Sequence, residues 1–164
     1  MRNLLLILPT IFFLTFGMNA QEKALKSQLQ KGSVFVEMMD SGTFEFFANT
    51  AIPMGMSSRN LVGDDYSVKF SEEKITSDLP YFGTAYSGMG SRKDQGLRFE
   101  GKPETYKVVK VSDKEYIVKA VVNTDEDNFE ITMSVSDSGY ADLIIKSRKR
   151  DVISFRGEVA KPRK

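Results

Sequence analysis

The chain has 164 residues, with 23 Lys and Arg against 22 Asp and Glu, and it contains no His, no Cys and no Trp. Lacking His, it has no usual general base near neutral pH, and lacking Cys too it has no common nitrogen or sulfur ligands for zinc. Thiol chemistry, disulfides, a lipid-modified cysteine and such metal centres are excluded, and the balanced charge gives no basic excess that would point to nucleic acid.

Residues 1–20 read as a cleavable export signal. Arg2 precedes an uncharged apolar run from Leu4 to Phe16, and small or polar residues follow up to Ala20. A run this short falls below the roughly twenty residues that a spanning helix needs. Cutting after Ala20 leaves 144 residues and removes one basic residue and no acid, so the mature net charge is zero. One domain accounts for that length. The expected location is the periplasm or the exterior, with no lipoprotein linkage and no stable membrane anchor.

Over residues 21–31, Ala24, Leu25 and Leu29 fall near helical spacing among polar residues, which predicts a short amphipathic helix that Gly32 weakens. Residues 33–39 fit either pattern. Val34, Val36 and Met38 alternate as in a strand, whereas Leu29, Val36 and Met39 extend a helical stripe; helix is favoured. After Asp40-Ser41-Gly42 the chain turns to short alternating runs of β-branched and aromatic residues. Phe44 and Phe46 alternate with Glu45, in a run that ends at Pro53. Tyr66, Val68 and Phe70 share one strand face, and Tyr106, Val108 and Lys110 are read as another. Tyr116 to Val122 is rich in β-formers. The cleanest period of two is Phe129, Ile131, Met133 and Val135, followed by Ala141, Leu143 and Ile145, then Val152 to Gly157. Connectors such as Ser112-Asp113-Lys114 and Asp137-Ser138-Gly139 are too short for parallel crossovers, so the strands form antiparallel hairpins.

These elements predict a mainly β fold. It is an antiparallel meander of about eight to ten strands, closing into a lipocalin-like barrel or packing as a two-layer sandwich. The boundaries are a signal at 1–20, a helical lead-in at 21–42, one β domain at 43–160 and a basic tail at 161–164.

The most distinctive segment runs from Asp78 to Tyr86, with Tyr81, Phe82 and Tyr86 around Pro80 and Gly83, before a glycine-rich loop from Ser87 to Gln95. Aromatics at a loop mouth offer large contact area at low entropy cost and suit an apolar ligand. The plainer reading makes them a core plug, with Pro80 opening a strand. Candidate ligand-binding residues are Tyr81, Phe82, Tyr86, Met89 and Phe99; no catalytic residue, cofactor or metal ligand is assigned. Met54, Met56 and Met89 lie beside glycines and are either adaptable binding thioethers or gap-fillers. Asp125-Glu126-Asp127 lacks the alternating ligands and central glycine of a calcium loop, so it reads as a hairpin tip. Ser71-Glu72-Glu73-Lys74 has the spacing of a serine acylase motif but stands at a strand end, where that motif opens a helix. Lys146, Arg148, Lys149 and Arg150 form a basic cluster that suits anionic surfaces or an ordinary solvated turn.

Several stretches, Phe44-Glu45-Phe46-Phe47-Ala48, Ala51-Ile52-Pro53-Met54-Gly55 and Leu79 to Tyr86, resemble a family of small exported bacterial proteins. That family is domain of unknown function forty-two fifty-one, found mainly in Bacteroidetes-type bacteria. Gly96 to Gly101, Gly139 to Leu143 and Ile153 to Gly157 resemble it as well, so the likeness covers about residues 22–160. The resemblance implies a signal followed by a helical lead-in, with Met38 and Met39 at the helix end. Gly32-Ser33 departs from it, since an uninterrupted helix is implied there. It implies no activity and no site residues. Three readings of function follow: a non-catalytic domain binding a small apolar ligand or an envelope partner, a hydrolase of glycans using two carboxylates about 5–10 Å apart, and an envelope interaction module docking through surfaces such as Lys146–Arg150.

Overall fold

The computed structural model describes residues 32–84 and 96–163. The expected signal and the helix expected over 21–31 lie outside the described residues. The chain divides into two compact units, Met1–Val36 and Glu37–Lys164. In the first, the described residues 32–36 are helical; the second opens with helical residues 37–40. Residues 33–39 are therefore helix, and Gly32, the first described residue, is helical too. The stop is local. Gly42 adopts a φ of +63° and donates its N–H to the Met39 carbonyl at 3.1 Å, while Ser41 Oγ donates to the Met38 carbonyl at 2.7 Å. This is how a left-handed glycine satisfies the last free carbonyls of a helix. Met38 and Met39 at this end are buried.

Ten strands follow: β1 (Phe44–Pro53), β2 (Arg59–Asn60), β3 (Ser67–Phe70), β4 (Ile75–Leu79), β5 (Leu97–Gly101), β6 (Pro103–Ser112), β7 (Glu115–Asn123), β8 (Asn128–Ser136), β9 (Tyr140–Ser147) and β10 (Ile153–Ala160). All pairings are antiparallel, in the order β5-β4-β3-β1-β10-β9-β8-β7-β6, with β2 also on β1. The two edge strands, β5 and β6, are consecutive in sequence and joined through Lys102 alone. A one-residue link between opposite edges requires the sheet to curl until they meet, and the sheet nearly closes into a barrel.

Side chains hold the seam where ladder hydrogen bonds do not. Phe99 on β5 stacks on Phe129 of β8 with centroids 4.0 Å apart and planes at 9°. Tyr106 on β6 stacks on Phe70 of β3 at 6.5 Å, and its hydroxyl donates to the Gly42 carbonyl at 2.7 Å. Each ring pair joins one edge strand to the third strand from the other edge, a contact that only a curled sheet permits.

The interior is filled by alternating inward residues, including Phe44, Phe46, Phe70, Leu79, Leu97, Ile131, Met133, Leu143 and Phe155, all under 2 % exposed. A barrel of about eight strands is just wide enough for side chains to fill it. Asn49 is the extra residue of a bulge in β1 opposite β10, between the pairs Ala48↔Gly157 and Thr50↔Arg156. There the backbones press together: a Cβ on Gly157 would lie 1.9 Å from the Phe47 carbonyl oxygen and 2.9 Å from the Phe46 ring.

Tyr66 lies just before β3, is half-buried, and its carbonyl accepts from Ala48 N at 2.9 Å, continuing the pairing with β1. Two expectations are corrected. Along β6, Tyr106 and Val108 are only half-buried and Lys110 is exposed, because an edge strand has a neighbour on one side only. Pro80 follows the end of β4 instead of opening a strand, consistent with its missing N–H.

Candidate functional site

Antiparallel order puts the end of β1, β2, the exit from β4, the entry to β5, and the β7–β8 and β9–β10 connections at one end of the barrel. The distinctive segment leaves β4 there. Tyr81 and Phe82 are half-buried, so their rings do not plug the core. Each is faced by an arginine from elsewhere in the sequence: Arg59 of β2 lies 4.3 Å from the Phe82 centroid, and Arg150 of the β9–β10 connection lies 5.3 Å from that of Tyr81. Guanidinium over an aromatic face is attractive through the ring quadrupole, by about 0.5–1 kcal/mol at exposed sites.

Hydrogen bonds pin the segment. Tyr81 Oη donates to the Thr84 carbonyl at 2.8 Å, and Thr84 N donates to Asp151 Oδ2 at 3.3 Å while Asp151 N donates to the Thr84 carbonyl at 3.2 Å. Arg150 Nη1 donates to the Gly96 carbonyl at 2.8 Å, just before β5. The β9–β10 connection thus grips both the exit from β4 and the entry to β5. Burial pushes the Tyr81 phenol above its ordinary value, with Asp151 nearby adding to the shift and the hydrogen bond to its backbone opposing it.

Of the five residues predicted from sequence, Tyr81 and Phe82 meet at this end. Phe99 lies within β5 on Phe129, where it serves the seam. Tyr86 and Met89 lie outside the described residues. Met54 and Met56 are 65 % and 53 % exposed in the turn between β1 and β2, close in sequence to Arg59, and Val62 beyond β2 is 70 % exposed. Sequence reasoning missed Arg59 as a partner. No local pattern marks it, since its ring partner comes from a different loop.

The other motifs resolve into structure. Ser71 Oγ accepts from Lys74 N at 3.0 Å and donates to the Lys74 carbonyl at 2.8 Å, while Lys74 Nζ donates to Glu100 at 3.2 Å; this hydroxyl caps a turn and faces no lysine base. Asp127 accepts from Ser147 Oγ at 2.5 Å and from Asn128 N at 2.8 Å, which ties the β7–β8 tip to the end of β9. The basic cluster is dispersed. Arg150 turns to Tyr81, Lys149 Nζ donates to the Glu126 carbonyl, and Lys146 and Arg148 stay exposed.

Two clefts lie elsewhere, neither lined by Tyr81, Phe82 or Phe99. One, of about 620 Å³, crosses the outer face near Asn49, Ser134, Tyr140, Asp142 and Arg156. The other, of about 320 Å³, is lined by Glu45, Asp65, Ser67, Lys69, Thr76, Asp78 and Arg163. Among the described residues no group of three or more Asp and Glu is arranged to hold a metal ion.

The fold is similar to the crystal structure of a DUF4251 family protein from Bacteroides eggerthii DSM 20697, with a TM-score of 0.61 and 11 % identity over 80 % of this chain and 87 % of that one. No protein of curated function matches the chain. The model of the family described as Domain of unknown function (DUF4251) matches residues 26–159, most of the sequence, and the chain belongs to that family.

Proposed function

We propose that the mature chain is an exported, non-catalytic β-domain that binds a small apolar ligand or an envelope partner at the loop end of its barrel. The observation that carries this reading is the pair of half-buried rings, Tyr81 and Phe82, each with one face on an arginine. Rings that only fill a core are buried completely, as Phe44, Phe46, Phe70 and Phe155 are. These two instead present amphipathic surface, and the turns flanking Arg59 add the exposed Val62, Met54 and Met56, the last two with thioethers that suit adaptable contact. Because the interior is packed with side chains, the ligand is read as lying across the mouth of the barrel.

The hydrolase reading draws no support from the three acids of the smaller cleft. Glu45 accepts from Ser67 Oγ and Arg163 N, Asp65 from Arg163, and Asp78 from Arg98, so each is engaged by the chain's own donors. Docking through Lys146–Arg150 merges with the first reading, since Arg150 belongs to the same end. A photo-crosslinker placed at Phe82 in the envelope tests the proposal for ligand and partner together: a defined adduct there supports it, and no adduct overturns it.

A further inference from the structure

Away from the loop end, the outer face of β1 and β3 holds the most deeply buried charge among the described residues. Glu45 is 1 % exposed although its neighbours Phe44 and Phe46 point inward, so its side chain leaves the barrel on the face that should meet water. Arg163 lies over it. Arg163 N donates to Glu45 Oε2 at 2.8 Å, Ser67 Oγ donates to Oε1 at 2.7 Å, and Arg163 Nε stands 3.9 Å from Oε1. The same guanidinium donates to Asp65 Oδ1 at 2.9 Å and lies 4.3 Å from the centroid of Phe47, which shares the outer face with Glu45. Lys69 Nζ donates to the Arg163 carbonyl at 3.3 Å. Asp65 reaches this position from a left-handed backbone at φ 55°, which Asp tolerates better than most residues.

We propose that the surface around Glu45, Phe47, Asp65 and Lys69 is a recognition site for an arginine-bearing peptide in extended form, occupied here by the chain's own Arg163. Every part of such a ligand has a counterpart. The guanidinium has an aromatic face and two carboxylates, the peptide N–H has a buried carboxylate oxygen, and the carbonyl has a lysine. A lysine in place of Arg163 loses the planar group that stacks on Phe47 while donating to Asp65. A merely sticky acidic surface would not read the backbone on both sides of the residue. The chain's own segment acts as a tethered competitor, so an arginine peptide from a partner enters only as that segment leaves.

The test uses a fluorescein-labelled peptide, Lys-Pro-Arg-Lys with blocked ends, and anisotropy titrations against three forms: the mature chain, the mature chain carrying Arg163→Ala, and a chain ending at Ala160. Circular dichroism first establishes that each form is folded; Arg163→Ala keeps the test decisive if the shorter chain is not. Saturable binding to the emptied forms, at least about tenfold tighter than to the intact chain, is expected, because a tethered segment competes at high effective concentration. Replacing Arg by Lys in the peptide, or Glu45 by Gln in the Arg163→Ala chain, should weaken binding about tenfold or more. Equal binding to intact and emptied forms, equal binding of the Lys peptide, or no binding to a folded Arg163→Ala chain would each overturn the proposal.

Discussion

If the barrel is closed by rings across its seam, the Phe99–Phe129 stack must contribute more than the separate burial of its two members. The pair lies at 4.0 Å with nearly parallel planes, and Phe129 is 4 % exposed while Phe99 is half-buried. Truncating a buried Phe to Ala costs about 3–5 kcal/mol, a large share of the roughly 5–15 kcal/mol that holds a domain folded. Leu at each position is the gentler perturbation, retaining most of the apolar volume and removing the ring contact. An aromatic pair adds about 0.5–1.5 kcal/mol beyond its area burial. Urea unfolding of residues 21–164, Phe99→Leu, Phe129→Leu and the double variant, followed by far-ultraviolet circular dichroism, should therefore return a coupling of about 1 kcal/mol. That energy links strands near opposite edges, so the single variants should also aggregate more readily as the edges of β5 and β6 become available. Additivity within about 0.3 kcal/mol would refute the reasoning.

Two further outcomes follow from packing and protonation. Gly157→Ala forces a methyl group toward the Phe47 carbonyl oxygen and the Phe46 ring, so it should destabilise by about 1–3 kcal/mol or more; thermal melting checks this, and an unchanged melting temperature contradicts the close approach at the bulge. Burial, aided by the charge of Glu72, raises the Tyr106 phenol well above its ordinary value. The unfolded chain then loses this proton first, so the stabilisation is fully present below about pH 10 and is lost as pH rises above it. Tyr106→Phe should lose about 0.5–1.5 kcal/mol at neutral pH with its hydrogen bond to Gly42, yet decline less steeply between pH 9 and pH 11, on the order of those limits. Parallel declines in urea titrations across that range would count against this account.

The strands of the second half could be read directly from the chain, because β7 to β10 are hairpin-linked and bury every second residue with little interruption. β4 and β5 were harder. The inward face of β4 is Ile75, Ser77 and Leu79, and Ser77 is buried only because its hydroxyl donates to the Leu97 carbonyl at 2.7 Å across the strand pair. A period-two count sees that serine as a break. Glu45 shows the opposite limit. Alternation with Phe44 and Phe46 assigns it to solvent, and it is covered by residues more than a hundred positions away. At the loop end, the aromatic composition of the segment singled out Tyr81 and Phe82, but the arginines that face them come from two other connections. Their selection depends on strand order, which periodicity does not specify.

The central claim is that the loop end carrying Tyr81 and Phe82 is the working surface of this domain. Phe82→p-benzoylphenylalanine, expressed in the full chain and irradiated in intact cells, measures this directly; Ile144, exposed on the outer face of β9, takes the same crosslinker as the control. Mass spectrometry of the recovered protein should find an adduct of defined mass at position 82, small molecule or protein, and none at position 144. Absence of any adduct at 82, or the same adducts at both positions, would contradict it.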